Sequence, residues 1–170
     1  LLNCTAYGTS RGPNEFHFIW TNWFNSIFPN DPLKTAIHEF THCVQLNILI
    51  TDAQRNLTIE AGSNFDDNFE KKFARDYPQW FWEGLSIYLA NEVNKMSVKY
   101  ARSKNPSLEY LSNNNQIYNI GYTIIEYIVE TWGEDKLPDL ITSYVDIENI
   151  LKVSKADFEK GWMDFVDEKY

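Results

Sequence analysis

The strongest constraint in this 170-residue chain lies between residues 29 and 49. Pro29-Asn30-Asp31-Pro32 interrupts whatever precedes it, with Asp31 placed to serve as N-cap and Pro32 as the first helical residue. Leu33, Ile37, Phe40, Val44 and Ile48 then recur at three- and four-residue spacing, which predicts one helix over Pro32–Leu49. The rest of the chain has to pack around it.

Upstream, residues 5–14 are rich in Gly, Ser, Pro and Asn and read as loop, whereas residues 15–21 (EFHFIWT) are aromatic and β-branched and read as strand. Downstream, residues 51–76 are polar, with a helix expected within 66–75. Pro78 breaks the chain and residues 79–91 read as a second firm helix. Asn105-Pro106 and Asn113-Asn114-Asn115 bracket a short helical piece, residues 116–132 form a third strong helix stopped by Gly133, and helices follow over 134–144 and 155–168. With 44% hydrophobic and 16% aromatic residues, a buried core can form. These elements predict an α+β fold in a single domain over residues 1–170, with a small N-terminal mixed sheet and a mainly helical C-terminal half.

A net charge of -9 repels phosphate backbones, so nucleic acid is not an expected partner. No apolar run approaches the ~20 residues that a membrane span requires. Residues 1–12 have neither the basic nor the apolar region of a signal peptide, and the chain opens without Met. A processed protein or a piece of a longer one is therefore expected, with the compartment left open. Cys4 and Cys43 could form one disulfide but no disulfide framework. Cys43 follows His42 on the same helix, about 100° round the axis, and reads as a buried small apolar residue.

The chemistry concentrates in His38-Glu39-Phe40-Thr41-His42. Residues i and i+4 of a helix share a face, with Cβ atoms about 6 Å apart, so two imidazoles at that spacing can converge on one zinc ion. Glu39 lies beside that face, where its carboxylate can take a proton from water at the ion's open position. Two of the chain's three histidines fall in this run. A catalytic zinc wants a third protein ligand. A histidine six residues past His42 would supply it in one arrangement, but that position is Ile48, and the glycine expected between them is Gln45. His17, flanked by Phe16 and Phe18, reads as a structural or rim residue. Glu83 is the better candidate. It sits in Trp80-Phe81-Trp82-Glu83-Gly84-Leu85, a segment otherwise fit for burial, and a buried carboxylate is expensive unless paired or bound to a metal.

HEFTH followed by WFWEGLSIY resembles the gluzincin metallopeptidases, including the shorter peptidase MA-like domains. The resemblance implies a zincin-like fold around an active-site helix, His38, His42 and Glu83 as zinc ligands, and Glu39 as general base. Ser86 stands where the family usually has Ala. The segment from Ile117 to Tyr122 is similar to a helix of gluzincin aminopeptidases whose tyrosine donates to the oxyanion, a role that would pass to Tyr118. On the residues alone, Tyr118 is equally an aromatic of the core. Ile120 replaces the lysine of that helix and the G-x-M-E-N exopeptidase signature is missing, so an aminopeptidase is not implied. Residues 16–20 read either as an edge strand for extended substrate or as an ordinary core strand, and Trp20, Trp23, Phe24 and Phe28 either as an apolar pocket or as core. The expected function is a zinc-dependent peptidase acting on a peptide or protein. The alternative is a non-catalytic, zinc-stabilised ligand-binding module.

Overall fold

A computed structural model describes residues 8–10, 13–18, 31–50 and 63–170. The described chain is mostly helical, with two short strands, β1 (Gly8–Ser10) and β2 (Phe16–Phe18). Nine helices follow: α1 (Pro32–Leu49), α2 (Ser63–Asp76), α3 (Gln79–Leu89), α4 (Lys95–Arg102), α5 (Leu108–Leu111), α6 (Ile117–Trp132), α7 (Lys136–Thr142), α8 (Ile147–Leu151) and α9 (Lys155–Lys169). The α+β class holds in this broad sense. Among the described residues no helix is long and apolar enough to cross a membrane.

The start of α1 follows its local signals. Asp31 Oδ1 accepts from the Leu33 amide at 2.9 Å, with Pro32 opening the helix. Both bounds agree with the sequence reading. Its buried side, however, is not the apolar stripe. Leu33, Ile37, Phe40 and Val44 are exposed, while Glu39, Thr41, His42, Cys43 and Gln45 are buried. Periodicity reports that a helix forms, and here the inward face is the one carrying the polar groups, each of which needs a partner once it leaves water.

The sheet departs from expectation. Among the described residues it has two antiparallel strands rather than a mixed set, pairing Gly8 with Phe18, Thr9 with His17 and Ser10 with Phe16. Strand β1 lies in the stretch read as loop, because three small residues carry no alternation of apolar and polar side chains. Strand β2 covers the first part of the expected 15–21 strand, and both strands lie against α1. The rest of the expected edge strand, and Trp20, Trp23, Phe24 and Phe28, lie outside the described residues. Helices α4 and α8 are additions. Each is opened by a side chain: Asn94 Oδ1 accepts from the Met96 and Ser97 amides, and Asp146 Oδ1 from Asn149.

The core lies between α3 and α6, the most extensive helix pair among the described residues. Phe81, Ile120, Ile124, Ile125 and Ile128 are fully buried there, each burial contributing about 1.5–3 kcal/mol. Helix α9 closes the core with Phe158 and Trp162, whose indole N–H donates to Thr123 Oγ1 at 2.9 Å. Two glycines set how closely α3 and α6 approach. A Cβ on Gly84 would meet the Gly121 carbonyl oxygen at 3.1 Å, and one on Gly121 would meet Gly84 Cα at 3.3 Å. Gly84 is also the neighbour of Glu83, so this contact fixes where that carboxylate stands.

Gly84→Val therefore wedges two backbones apart, and overpacking of this kind costs about 1–3 kcal/mol. Urea unfolding should show a lower midpoint with an unchanged slope. A variant as stable as the parent would mean that the helices have room to separate.

Candidate metal centre

Three side chains from two helices meet at one point. His38 and His42 stand one turn apart on α1, and Glu83 faces them from the first half of α3. One ligand atom from each lies within 4.8 Å of the other two. Glu83 Oε2 is 3.3 Å from His38 Nε2 and 3.7 Å from His42 Nε2. The two imidazoles are nearly perpendicular, at 80°, with centroids 4.9 Å apart. This is the group that the sequence brought together.

Burial makes the arrangement costly without a cation. His42 is 4% exposed and Glu83 8% exposed. Glu83 Oε2 is buried and accepts no hydrogen bond of good geometry. Leaving a buried carboxylate oxygen without a partner costs more than an ordinary unmade hydrogen bond. Two nitrogens and one oxygen facing an otherwise unpaired point form a donor set suited to a divalent metal, and to zinc among the common ones. The residues present therefore fit such an ion.

The electrostatics carry the same message. Burial pulls the His38 imidazole down, but the Glu83 and Glu92 carboxylates overcome that pull and raise it to about 9. The two carboxylates thus favour a proton on His38. Burial pushes His42 down to about 3, and the positive charge of His38 adds to the push.

Each imidazole is also gripped from behind. His38 Nδ1 meets Glu92 Oε2 at 3.0 Å, in the segment that follows α3. His42 Nδ1 meets Ser86 Oγ at 3.0 Å, and the ring stacks on Trp82 at 4.1 Å and 16°. Sequence reasoning singled out neither Glu92 nor a role for Ser86. The hint available for Ser86 was a polar residue one turn past Glu83. Glu92 had no signal at all, because it is brought to His38 by tertiary structure across 54 positions.

Glu39, buried at 8% exposure, lies beneath β1. A Cβ on Gly8 would fall 2.5 Å from Glu39 Cγ and Oε1, so the strand and this carboxylate are in close contact. Tyr118, in the first turn of α6, is half exposed. Burial, the facing Glu83 carboxylate and the charges of Glu39 and Glu92 all push its phenol up and keep it neutral. It is therefore a rim residue of this centre rather than a core aromatic. His17 stands apart from the three ligand candidates on β2, 57% exposed at the side chain and beside Glu15. Cys43 is buried and free, its Sγ 3.6 Å from the Glu15 carbonyl oxygen.

Zinc at about 100 times its Kd should add about 2.7 kcal/mol of stability, raising the melting temperature by roughly 5–11 °C for a chain of this size. His42→Ala should lose that rise, which a thermal-shift titration with and without chelator reads directly. An equal rise in both proteins would place the ion elsewhere.

Comparison with known proteins adds no relative: no family model matches the chain, and no curated protein and no solved structure matches it either.

Proposed function

We propose that the chain is a zinc-dependent peptidase of the gluzincin type, with His38, His42 and Glu83 holding the metal. One observation carries the reading. A buried, hydrogen-bond-free carboxylate oxygen sits 3.3 and 3.7 Å from two imidazole nitrogens, with a second buried glutamate one residue from the first histidine. A purely structural site has no use for that second acid. Bound zinc supplies Lewis acidity, making a water acidic near neutral pH and polarising a carbonyl.

The chain's own residues do the rest. Glu39 accepts the proton that water loses as its oxygen adds to the peptide carbonyl carbon. The same carboxyl then returns the proton to the departing amine as the C–N bond breaks. No covalent intermediate with the protein forms: the one G-x-S-x-G run, Gly8-Thr9-Ser10-Arg11-Gly12, begins in β1 and leads to the antiparallel strand β2, not to the strand-to-helix turn of a nucleophile elbow. Tyr118, neutral across the working pH range because burial and nearby carboxylates push its phenol up, donates to the oxyanion that develops on the substrate.

Glu39→Gln should keep the fold and the zinc but lose about 10²–10⁴ in kcat, the span of general acid–base catalysis. Turnover of a fluorogenic peptide library, with and without chelator, checks this. A non-catalytic module would bind zinc and give no chelator-sensitive cleavage in the parent. Removing one oxyanion donor typically costs 10²–10³ in kcat, so Tyr118→Phe should fall by about that much with little change in KM. Activity near the parent's would make Tyr118 a bystander.

A further inference from the structure

We propose that Glu92 and Ser86 are positioning residues that lock both imidazoles with Nε2 turned toward the metal, and so set the affinity for the ion. This rests on the metal-centre reading above. The argument is one of hydrogen-bond polarity. An imidazole that offers Nε2 as a lone pair must carry its proton on Nδ1, and that N–H needs an acceptor.

For His38 the acceptor is charged. Glu92 Oε2 lies 3.0 Å from Nδ1, and a carboxylate can only accept. The pair is part-buried, with the Glu92 side chain 32% exposed, so its attraction is only partly screened. A carboxylate behind the ring also makes the ligand nitrogen more basic, the arrangement seen generally behind metal-bound histidines.

For His42 the acceptor is a hydroxyl, and the bonds around it have one consistent direction. Ser86 Oγ is 3.0 Å from His42 Nδ1 and 3.3 Å from the Trp82 carbonyl oxygen. A carbonyl cannot donate, so the single serine proton goes to Trp82 and the oxygen is left to accept from Nδ1–H. The same carbonyl accepts from Gln45 Nε2 at 3.0 Å, and Gln45 Oε1 accepts from the Tyr77 hydroxyl at 3.1 Å. Ser86 and Gln45 are fully buried, so no water competes for these groups. The Trp82 ring, stacked on His42, blocks rotation of the imidazole out of this plane. The centre is therefore asymmetric, with one ligand backed by a negative charge and the other by a neutral network.

The test uses zinc and cobalt(II) alone as probes on purified Glu92→Ala, Glu92→Gln and Ser86→Ala proteins. Loss of such partners typically weakens metal binding 10–100-fold. Chelator competition should place Glu92→Ala in that range and Ser86→Ala nearer its lower end. Glu92→Gln, which keeps an acceptor oxygen without the charge, should recover part of the loss. The visible absorption of bound cobalt(II) should shift in the Ala variants, a change that a merely structural role would not produce. If Glu92→Ala fails to fold, the Gln and Ser86 variants carry the test. Affinities within twofold of the parent, with an unchanged cobalt spectrum, overturn the inference and leave the metal centre standing. A parent protein that binds neither ion overturns both.

Discussion

Everything distinctive in this structure follows from the decision to bury one carboxylate. Glu83 belongs to a helix whose other inward residues, Trp80, Phe81, Leu85 and Ile87, are at most 3% exposed. Apolar burial of that quality holds α3 in place whatever Glu83 does, and the Gly84–Gly121 contact lets α3 settle directly on α6. The carboxylate is thus carried into the interior by its neighbours, at a cost it cannot recover by itself. Its compensation comes from α1, whose inward face is correspondingly polar. The exposed Leu33, Ile37, Phe40 and Val44 are the other side of that exchange.

How much of this was legible in the sequence depended on whether the signal was local. The bounds of α1 were readable because a side-chain cap, a proline at the first turn and a spacing rule all act within a few residues. The grouping of the three ligand candidates was readable for a related reason. Two of its members are fixed by helical spacing, and the third stands out as an acid in an apolar segment. Which face of α1 is buried was not readable, because that depends on what lies opposite. Strand β1 is three small residues held by pairing with Phe16–Phe18, and nothing in Gly-Thr-Ser announces it. Helices α4 and α8 carry good N-caps, Asn94 and Asp146, but span only eight and five residues.

Of the two readings of Tyr118, its half-exposed position removes the core aromatic. Its helix is buried through Ile117, Ile120, Gly121, Ile124 and Ile125, and Tyr118 falls off that stripe at the end nearest Glu83. A helix delivers such a residue to a site when its first turn abuts the site and its core stripe faces elsewhere. The sequence contained that periodicity, but not the fact that α6 begins where Glu83 lies.

The charge distribution bears on why these residues could hold a cation. The chain carries a net charge of -9, and two glutamates, at positions 83 and 92, lie against the histidines. One imidazolium among them offsets a single charge and leaves Glu83 Oε2 without a hydrogen bond. A protonated His38 also cannot be a metal ligand, since its Nε2 lone pair is then occupied. Proton and divalent ion are therefore alternatives for the same place, and only the ion engages both imidazoles and the carboxylate at once. Glu39, next in sequence to His38 but about 100° around the helix, is not one of the three side chains that converge there.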